Sequence, residues 1–264
     1  MKVVLFCGGQ GLRMREFSGS VPKPMATIGS RPVLWHVMRY YAHFGHRDFV
    51  LCLGYRGDVI KEYFLHYDET VSNDFVLAEG GKSIELLNAD IQDWRIAFVD
   101  TGPDATIGQR LLSVKPQLVE EPMFLANYAD GLTDAPLDDL VEDFSLRDKV
   151  AAFISVRPPQ TFHVLSIAES GDVEAITHVR DSNIWMNGGY FLFRNAIFDY
   201  IQPGEDLVDE PFQRLIADRQ LIAYRHHGFW RAMDTLKEMQ ELEALHESGK
   251  PPWALWQRRE PADG

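Results

Sequence analysis

Two short stretches near the start of the chain combine residue types suited to handling phosphate. The first is Gly8-Gly9-Gln10-Gly11-Leu12-Arg13, directly after the apolar run Lys2 to Cys7. Glycines after a strand let the backbone turn sharply and bring N–H groups against phosphate oxygens. Arg13 adds a permanent cation with a fork of donors. The spacing is neither G-x-G-x-x-G nor G-x-x-x-x-G-K-[ST], so the dinucleotide and P-loop fingerprints are both absent. An ordinary glycine turn remains the alternative. The second stretch is Pro22-Lys23-Pro24-Met25. Two prolines fix the chain around Lys23 and aim its ammonium group, which suits a reaction in which phosphate charge shifts. A lysine on a surface loop is the plain alternative.

The elements that position these stretches follow from the alternation of apolar runs and helical patterns. Lys2 to Cys7, Asp48 to Leu53, Arg95 to Val99, Met123 to Asn127 and Val150 to Val156 read as buried strands, with further short strands at Val164 to Ile167 and Tyr190 to Arg194. Helices are expected over Pro32 to Phe44, through Ile60 and Phe64, over Thr106 to Leu118, over Asp139 to Phe144, and from near Asp234 through Leu245 to a stop at Gly249 and Pro251. Residues 66–95 are more polar and suggest a hairpin or an excursion packed on another subunit. Strands alternating with helices predict an α/β fold, a Rossmann-like, mainly parallel sheet with helices on both faces. No linker divides the chain, so 1–264 reads as one domain. Its successive segments are 1–130, 131–248 and a tail, 249–264, that frays beyond Trp256.

Composition limits the partners. With 39 acidic against 26 basic residues the formal net charge is −13, which repels nucleic-acid backbones and anionic lipid, so neither nucleic acid nor membrane is expected. No stretch approaches the ~18 uninterrupted apolar residues of a membrane span, and the N-terminus lacks the pattern of a signal peptide. Cys7 and Cys52 sit in apolar runs without metal-ligand spacing and read as free thiols of a cytoplasmic protein.

The run GGQGLRM, then PKPM, then IGSRPVLWHVMRYYAHFG resembles the sugar-1-phosphate nucleotidyltransferases, and more narrowly glucose-1-phosphate cytidylyltransferases. The similarity continues through DFVLCLGYRGDVIKEYF, WRIAFVDTG, YADG, MNGGYFLF and GFWRAMDTL to GKPPWALW, nearly the whole chain in matching order. It implies attack of an acceptor phosphate on the α-phosphorus of a nucleoside triphosphate, most simply CTP, with release of pyrophosphate. The nucleophile is already an anion, so positioning and charge neutralisation are the main requirements. Mg²⁺ prefers oxygen ligands and usually takes one or two carboxylates plus substrate phosphates. Asp130, after a buried strand, and Asp234, in GFWRAMDT, coincide with the family's metal-binding aspartates; a turn aspartate and a helix N-cap are their plain alternatives. By resemblance Arg13 and Lys23 are catalytic. Phe6, Gly8, Gly9, Gly11, Thr101, Arg110 and Tyr128 would hold the nucleotide, with Arg110 helping to read cytosine or else covering a helix with its apolar stem. Asn187 and Gly188 would contact the acceptor, so residues 1–130 would serve mainly the nucleotide and 131–248 mainly the acceptor and the second metal aspartate, and relatives suggest a homo-oligomer.

The resemblance breaks on the acceptor side. Where the family carries Glu-Lys-Pro, this chain has Ile176-Thr177-His178-Val179-Arg180-Asp181, leaving His178 or Arg180 to supply the positive charge. Leu12, Val21 and Ala129 are smaller departures, the last replacing a glycine. An acceptor other than plain glucose 1-phosphate is the expectation: another sugar phosphate, a cyclitol phosphate, or a non-sugar phosphate or phosphonate. A catalytically weak binding subunit on the same fold is the competing reading.

Overall fold

The computed structural model describes residues 1–9 and 21–257. Its first strand shows how apolar runs become a sheet covered on both sides. In β1 (Lys2–Phe6), Val3 and Leu5 join one core, while Val4 and Phe6 join another, because successive strand side chains point to opposite faces. Six more strands join it: β2 (Asp48–Leu53), β3 (Arg95–Asp100), β4 (Met123–Asn127), β5 (Ala151–Val156), β6 (Met186–Arg194) and β7 (Leu221–His226). Their order is β7-β5-β6-β4-β1-β2-β3. Every neighbouring pair runs parallel except the two made by β6, which is antiparallel to β4 and β5.

The α-helices among the described residues are α1 (Val33–His43), α2 (Gly57–Leu65), α3 (Ile107–Ser113), α4 (Leu137–Leu146), α5 (Glu210–Ala217) and α6 (Leu236–Glu247). Buried residues of α1, α2, α4 and α6 pack with Val3 and Leu5 on one face of the sheet. Leu111 of α3 and Phe212 and Leu215 of α5 pack with Val4 and Phe6 on the other. The α/β class with both faces covered is therefore the observed one.

Several details differ from the pattern in the sequence. The helix expected over Thr106 to Leu118 ends at Ser113 and gives way to a 3₁₀ turn, Lys115–Leu118, where Pro116 has no N–H to continue the ladder. α6, expected from near Asp234, begins at Leu236 after its cap Thr235. Residues 66–95 do contain a hairpin, Phe75–Ala78 against Ser83–Leu86, exposed along its whole length. Trp253, in the segment 249–264 read as a tail, is fully buried against this chain's own Phe229 and His36. Among the described residues no helix is long and apolar enough to cross a membrane.

One feature of the strand order places the site. From β1 the chain moves outward through β2 to β3, then crosses back to β4 on the other side of β1. Beyond the carboxyl ends of β1 and β4 lies the switch-point crevice where open α/β sheets bind ligands.

Candidate active site

Two turns leave the sheet at that crevice. After β1, Cys7 N–H donates to Cys52 O at 3.0 Å, and the Gly8 carbonyl accepts from Tyr55 N–H at 3.3 Å. A Cβ at Gly8 would fall 1.9 Å from Arg110 Nη1, so any larger residue here must displace the guanidinium. Gly9 is exposed, with nothing among the described residues within 4 Å of where its Cβ would be. Gly11 and Arg13, expected against phosphate, lie outside the described residues. Burial pushes the Cys52 thiol up to about 12 and raises Cys7 well above the ordinary thiol range, so neither is a nucleophile at neutral pH.

Arg110 ties the strand ends together. It lies on α3, whose start is fixed by a capping box between Thr106 and Gln109. Its Nη1 donates to Leu53 O (3.2 Å), Thr101 Oγ1 (2.7 Å) and Gly102 O (2.9 Å), and Nη2 donates to Gly8 O (3.1 Å) and Pro103 O (3.2 Å). The residue is only 2% exposed. A stem laid over a helix with its head in water is thus not the arrangement. The guanidinium is sunk among main-chain oxygens that follow β1, β2 and β3, and Thr101 is one of its partners.

The second turn carries Asp130. After β4, Tyr128 N–H donates to Gly189 O (3.2 Å), and Ala129 N–H donates to Asn127 Oδ1 (2.6 Å). Ala129 has φ +64°, the left-handed region, where a Cβ costs roughly 1–2 kcal/mol. This backbone geometry explains why a glycine stands here in the resembling family. The next residues, Gly131–Thr133, pair antiparallel with Trp230–Ala232, and Asp130 O accepts from Met233 N–H at 2.9 Å. That ladder brings Asp234 beside Asp130. Thr235 caps α6 with Glu238 in a capping box, so Asp234 is not the N-cap and its carboxylate is left for another partner.

That partner is Lys23, on the short 3₁₀ turn Lys23–Met25 after Pro22. Its Nζ donates to Asp130 Oδ2 at 2.5 Å and also to Asp234 Oδ1. Three segments far apart in sequence therefore meet at one nitrogen, with the Lys23 and Asp130 side chains 14% and 21% exposed. Burial alone would lower the Lys23 pKa, but the two carboxylates outweigh it and hold the ammonium above its ordinary value. Burial raises the Asp130 pKa, with Lys23 opposing and Asp234 adding to the rise. Two carboxylates sharing one ammonium leave a net charge of −1 when both are ionised. Their oxygens, both in hydrogen-bond reach of one nitrogen, stand within roughly 6 Å of each other. This is an oxygen donor set that matches the one or two carboxylates Mg²⁺ takes alongside substrate phosphates. Among the described residues no cluster of three or more His, Cys, Asp or Glu forms a self-sufficient metal cage.

The acceptor segment borders the same turn. Gly189, at φ +76°, lets the Tyr128 ring lie where its Cβ would be, 2.6 Å from Tyr128 Cδ2. Asn187 accepts from Gly189 N–H at 2.8 Å and donates to Tyr128 OH at 3.4 Å, while Gly188 O accepts from Trp230 Nε1 at 2.8 Å. Phe6 and Tyr128 have ring centroids 6.3 Å apart. Phe6, Gly8, Thr101, Tyr128, Asn187 and Gly188 thus lie at strand ends along the edge of the sheet that also carries Asp130, with Arg110 bonded to Gly8 and Thr101 among them. His178 and Arg180 part company. His178, on the hairpin His163–Ile167/Val173–His178, packs on His163 and accepts from Arg180 N–H at 3.2 Å. Arg180 instead lines a cavity of about 340 Å³ together with Arg157, His226, Trp230 and Arg231. Arg157 and Arg231 were not singled out from sequence. The available signal for Arg157 was its place directly after the buried run Val150 to Val156.

No protein-family model matches the chain. It is 35% identical over 258 residues to a Bacillus subtilis (strain 168) protein described as a probable glucose-1-phosphate cytidylyltransferase, covering 97% of this chain and 100% of that one. It is also 35% identical over 260 residues to the glucose-1-phosphate cytidylyltransferase of Salmonella typhimurium (strain LT2), with the same coverage. Among solved structures, HddC from Yersinia pseudotuberculosis superposes with a TM-score of 0.62 at 17% identity, over 91% of this chain and 96% of that one, a likeness of fold.

Proposed function

Since the chain belongs to the sugar-1-phosphate nucleotidyltransferase family, we propose that it transfers the cytidylyl group of CTP to a phosphorylated acceptor. An oxygen of the acceptor phosphate forms a bond to the α-phosphorus of CTP. The bond from that phosphorus to the bridging oxygen breaks, and pyrophosphate leaves. The observation that carries this reading is the meeting of Lys23, Asp130 and Asp234 at the switch point of the sheet. A protein that only binds metabolites has no need of two carboxylates converging there.

Asp130 and Asp234 are the residues that would hold Mg²⁺, which supplies charge neutralisation on the phosphates when bound. Lys23, held protonated by those carboxylates, stands ready to pair with phosphate oxygens as charge moves from the α-phosphorus to pyrophosphate. Gly8 and Gly9 let the nucleotide approach the backbone, with Phe6, Thr101 and Tyr128 at its sides. Arg110 acts on the base and ribose through the carbonyls it fixes. Asn187 and Gly188 face the acceptor, and Arg180, in place of the missing Glu-Lys pair, offers it a cation.

The same reading has the chain working as a homo-oligomer. Supporting it are Phe75, Val76, Leu77 and Ile84, exposed apolar side chains on one hairpin, and light scattering on the eluted protein tests it. The reaction is tested by incubating α-labelled CTP with Mg²⁺ and a panel of sugar, cyclitol and small non-sugar phosphates. Label transferred to an acceptor supports the transferase. CTP that binds tightly yet never yields product would support the binding-subunit reading.

A further inference from the structure

The cavity lined by Arg157, Arg180 and Arg231 is out of keeping with the chain around it. The protein carries a formal net charge of −13, yet among the described residues no aspartate or glutamate lines this space. Among the described residues neither Arg157 nor Arg180 has a carboxylate partner. Arg157 donates to Ser182 O and, at 3.2 Å, to Ile184 O, with its guanidinium 4.2 Å over the Trp185 ring, and Arg180 donates to Pro159 O at 3.2 Å. Those contacts orient the two guanidinium groups without neutralising them. Arg231 has Glu241 at 3.6 Å, and His226 has Asp134 at 2.9 Å, so the uncompensated charge belongs to Arg157 and Arg180.

The place of the cavity ties it to the acceptor. β5 and β7 run parallel and end at Val156 and His226, both in its wall, at the same edge of the sheet as Gly8 and Asp130. Trp230, also in the wall, donates to Gly188 O at 2.8 Å, and Met186 and Asn187 pair with Val156 and Ser155. Neither Lys23, Asp130 nor Asp234 lines the space, so the phosphate that reacts is not the group it holds. Arg231 and Asp234 are three residues apart, which at ~3.3 Å per extended residue keeps their Cα atoms within roughly 10 Å. One small molecule reaches both.

We propose that the acceptor carries a second anionic group, a carboxylate or a further phosphate remote from the reacting one, and that Arg157 and Arg180 bind it in this cavity. The inference rests on the transferase reading for the identity of the ligand and on the cavity alone for its charge. The test compares kcat/KM for glucose 1-phosphate, glucuronic acid 1-phosphate and glucose 1,6-bisphosphate with CTP and Mg²⁺, in the wild type, Arg157→Gln and Arg180→Gln. A charge-assisted pair lost from the second group predicts a wild-type preference of about tenfold or more for at least one anion-ended acceptor. The two anionic arms separate a carboxylate from a phosphate. Each variant should erase most of the preference through KM. Arg180 is exposed, so Arg180→Gln serves even where Arg157→Gln folds poorly.

Binding is measured alongside, by calorimetry with glucose 1,6-bisphosphate and glucose 1-phosphate. Turnover with no preference for either anionic acceptor, or with a preference that both variants retain, overturns the inference and leaves the transferase reading intact. No turnover with these or with the wider acceptor panel, but tighter binding of the bisphosphate that Arg180→Gln removes, overturns the transferase reading and leaves the cavity assignment standing. No turnover across that panel and equal binding of both compounds overturns both.

Discussion

Replacing Arg110 by methionine separates a brace from a base reader. The guanidinium has five acceptors, and their fates differ once it is gone. Leu53 O keeps the Thr101 N–H (2.9 Å) and hydroxyl (2.7 Å), and Gly8 O keeps the Tyr55 N–H. Pro103 is exposed and Gly102 half-buried, so water can reach their carbonyls. Hydrogen bonds to a charged group are worth about 1.5–3 kcal/mol each in isolation, but most of these acceptors find a replacement and the buried cation's desolvation cost disappears. About 2–3 kcal/mol of destabilisation remains, at the upper end of ordinary single substitutions. At ~2–4 °C per kcal/mol for a chain near this size, Tm falls by roughly 4–12 °C. The functional signature follows from the same geometry. A brace of the strand ends shapes the pocket for any nucleotide, so CTP, UTP, ATP and GTP should lose affinity by similar factors in calorimetric titrations. A Tm within 1–2 °C of the wild type, together with a loss confined to CTP, would refute this and make Arg110 a direct reader of cytosine. Gly8→Ala, whose Cβ must displace the same guanidinium, should reproduce the pattern.

Other substitutions test neighbouring parts of the account. His36 is buried, accepts from Trp253 Nε1 at 3.3 Å and lies 3.1 Å from Ile28 O, an arrangement that suits the neutral ring. Burial lowers its pKa from 6.5 to about 4, so the stability it confers is present above pH 6.5 and is lost as pH falls toward and through 4. The chain should therefore be about 2 kcal/mol less stable at pH 5 than at pH 7.5 from this group alone, and His36→Gln should flatten that slope in urea titrations; an unchanged slope would count against it. Ala129→Gly relieves left-handed strain of ~1–2 kcal/mol and adds ~0.4–1 kcal/mol of unfolded-state entropy, giving a gain of up to about 1.6 kcal/mol. A loss of stability would show that the turn does not carry that strain. Lys23→Gln leaves Asp130 and Asp234 without their shared cation, so Mg²⁺ should raise the variant's Tm more than the wild type's, and equal shifts would show that the metal sits elsewhere.

The sheet was the most legible part of the structure, because a strand buried on both faces must be apolar throughout, and Val3 to Phe6, Phe49 to Leu53 and Phe124 to Ala126 are. Helix α5 was harder to see. It is a single short segment with Pro211 near its start, and only Phe212 and Leu215 mark the face it buries. The residue types of the site were readable, but not its assembly. Lys23 meets partners 107 and 211 residues away, and local pattern carries no information about such contacts. The role of Asp234 shows the same limit from the other side: beside Thr235 either residue could cap α6, and the capping box decides for Thr235. Arg157 carries no local signal, because an arginine after a strand looks like any surface arginine until the topology sets it beside Arg180.

Asp130 and Asp234 are the residues on which the proposed nucleotidyl transfer depends. The most direct measurement is Mg²⁺-dependent pyrophosphate release by the wild type, Asp130→Asn and Asp234→Asn, with each nucleoside triphosphate and the acceptor panel. The predicted result is release that requires CTP, an acceptor and Mg²⁺ together, and that falls by about a hundredfold or more in each variant while the fold is kept. Release that survives in both variants, or none from a wild type that binds CTP, would contradict the assignment of these carboxylates to nucleotidyl transfer.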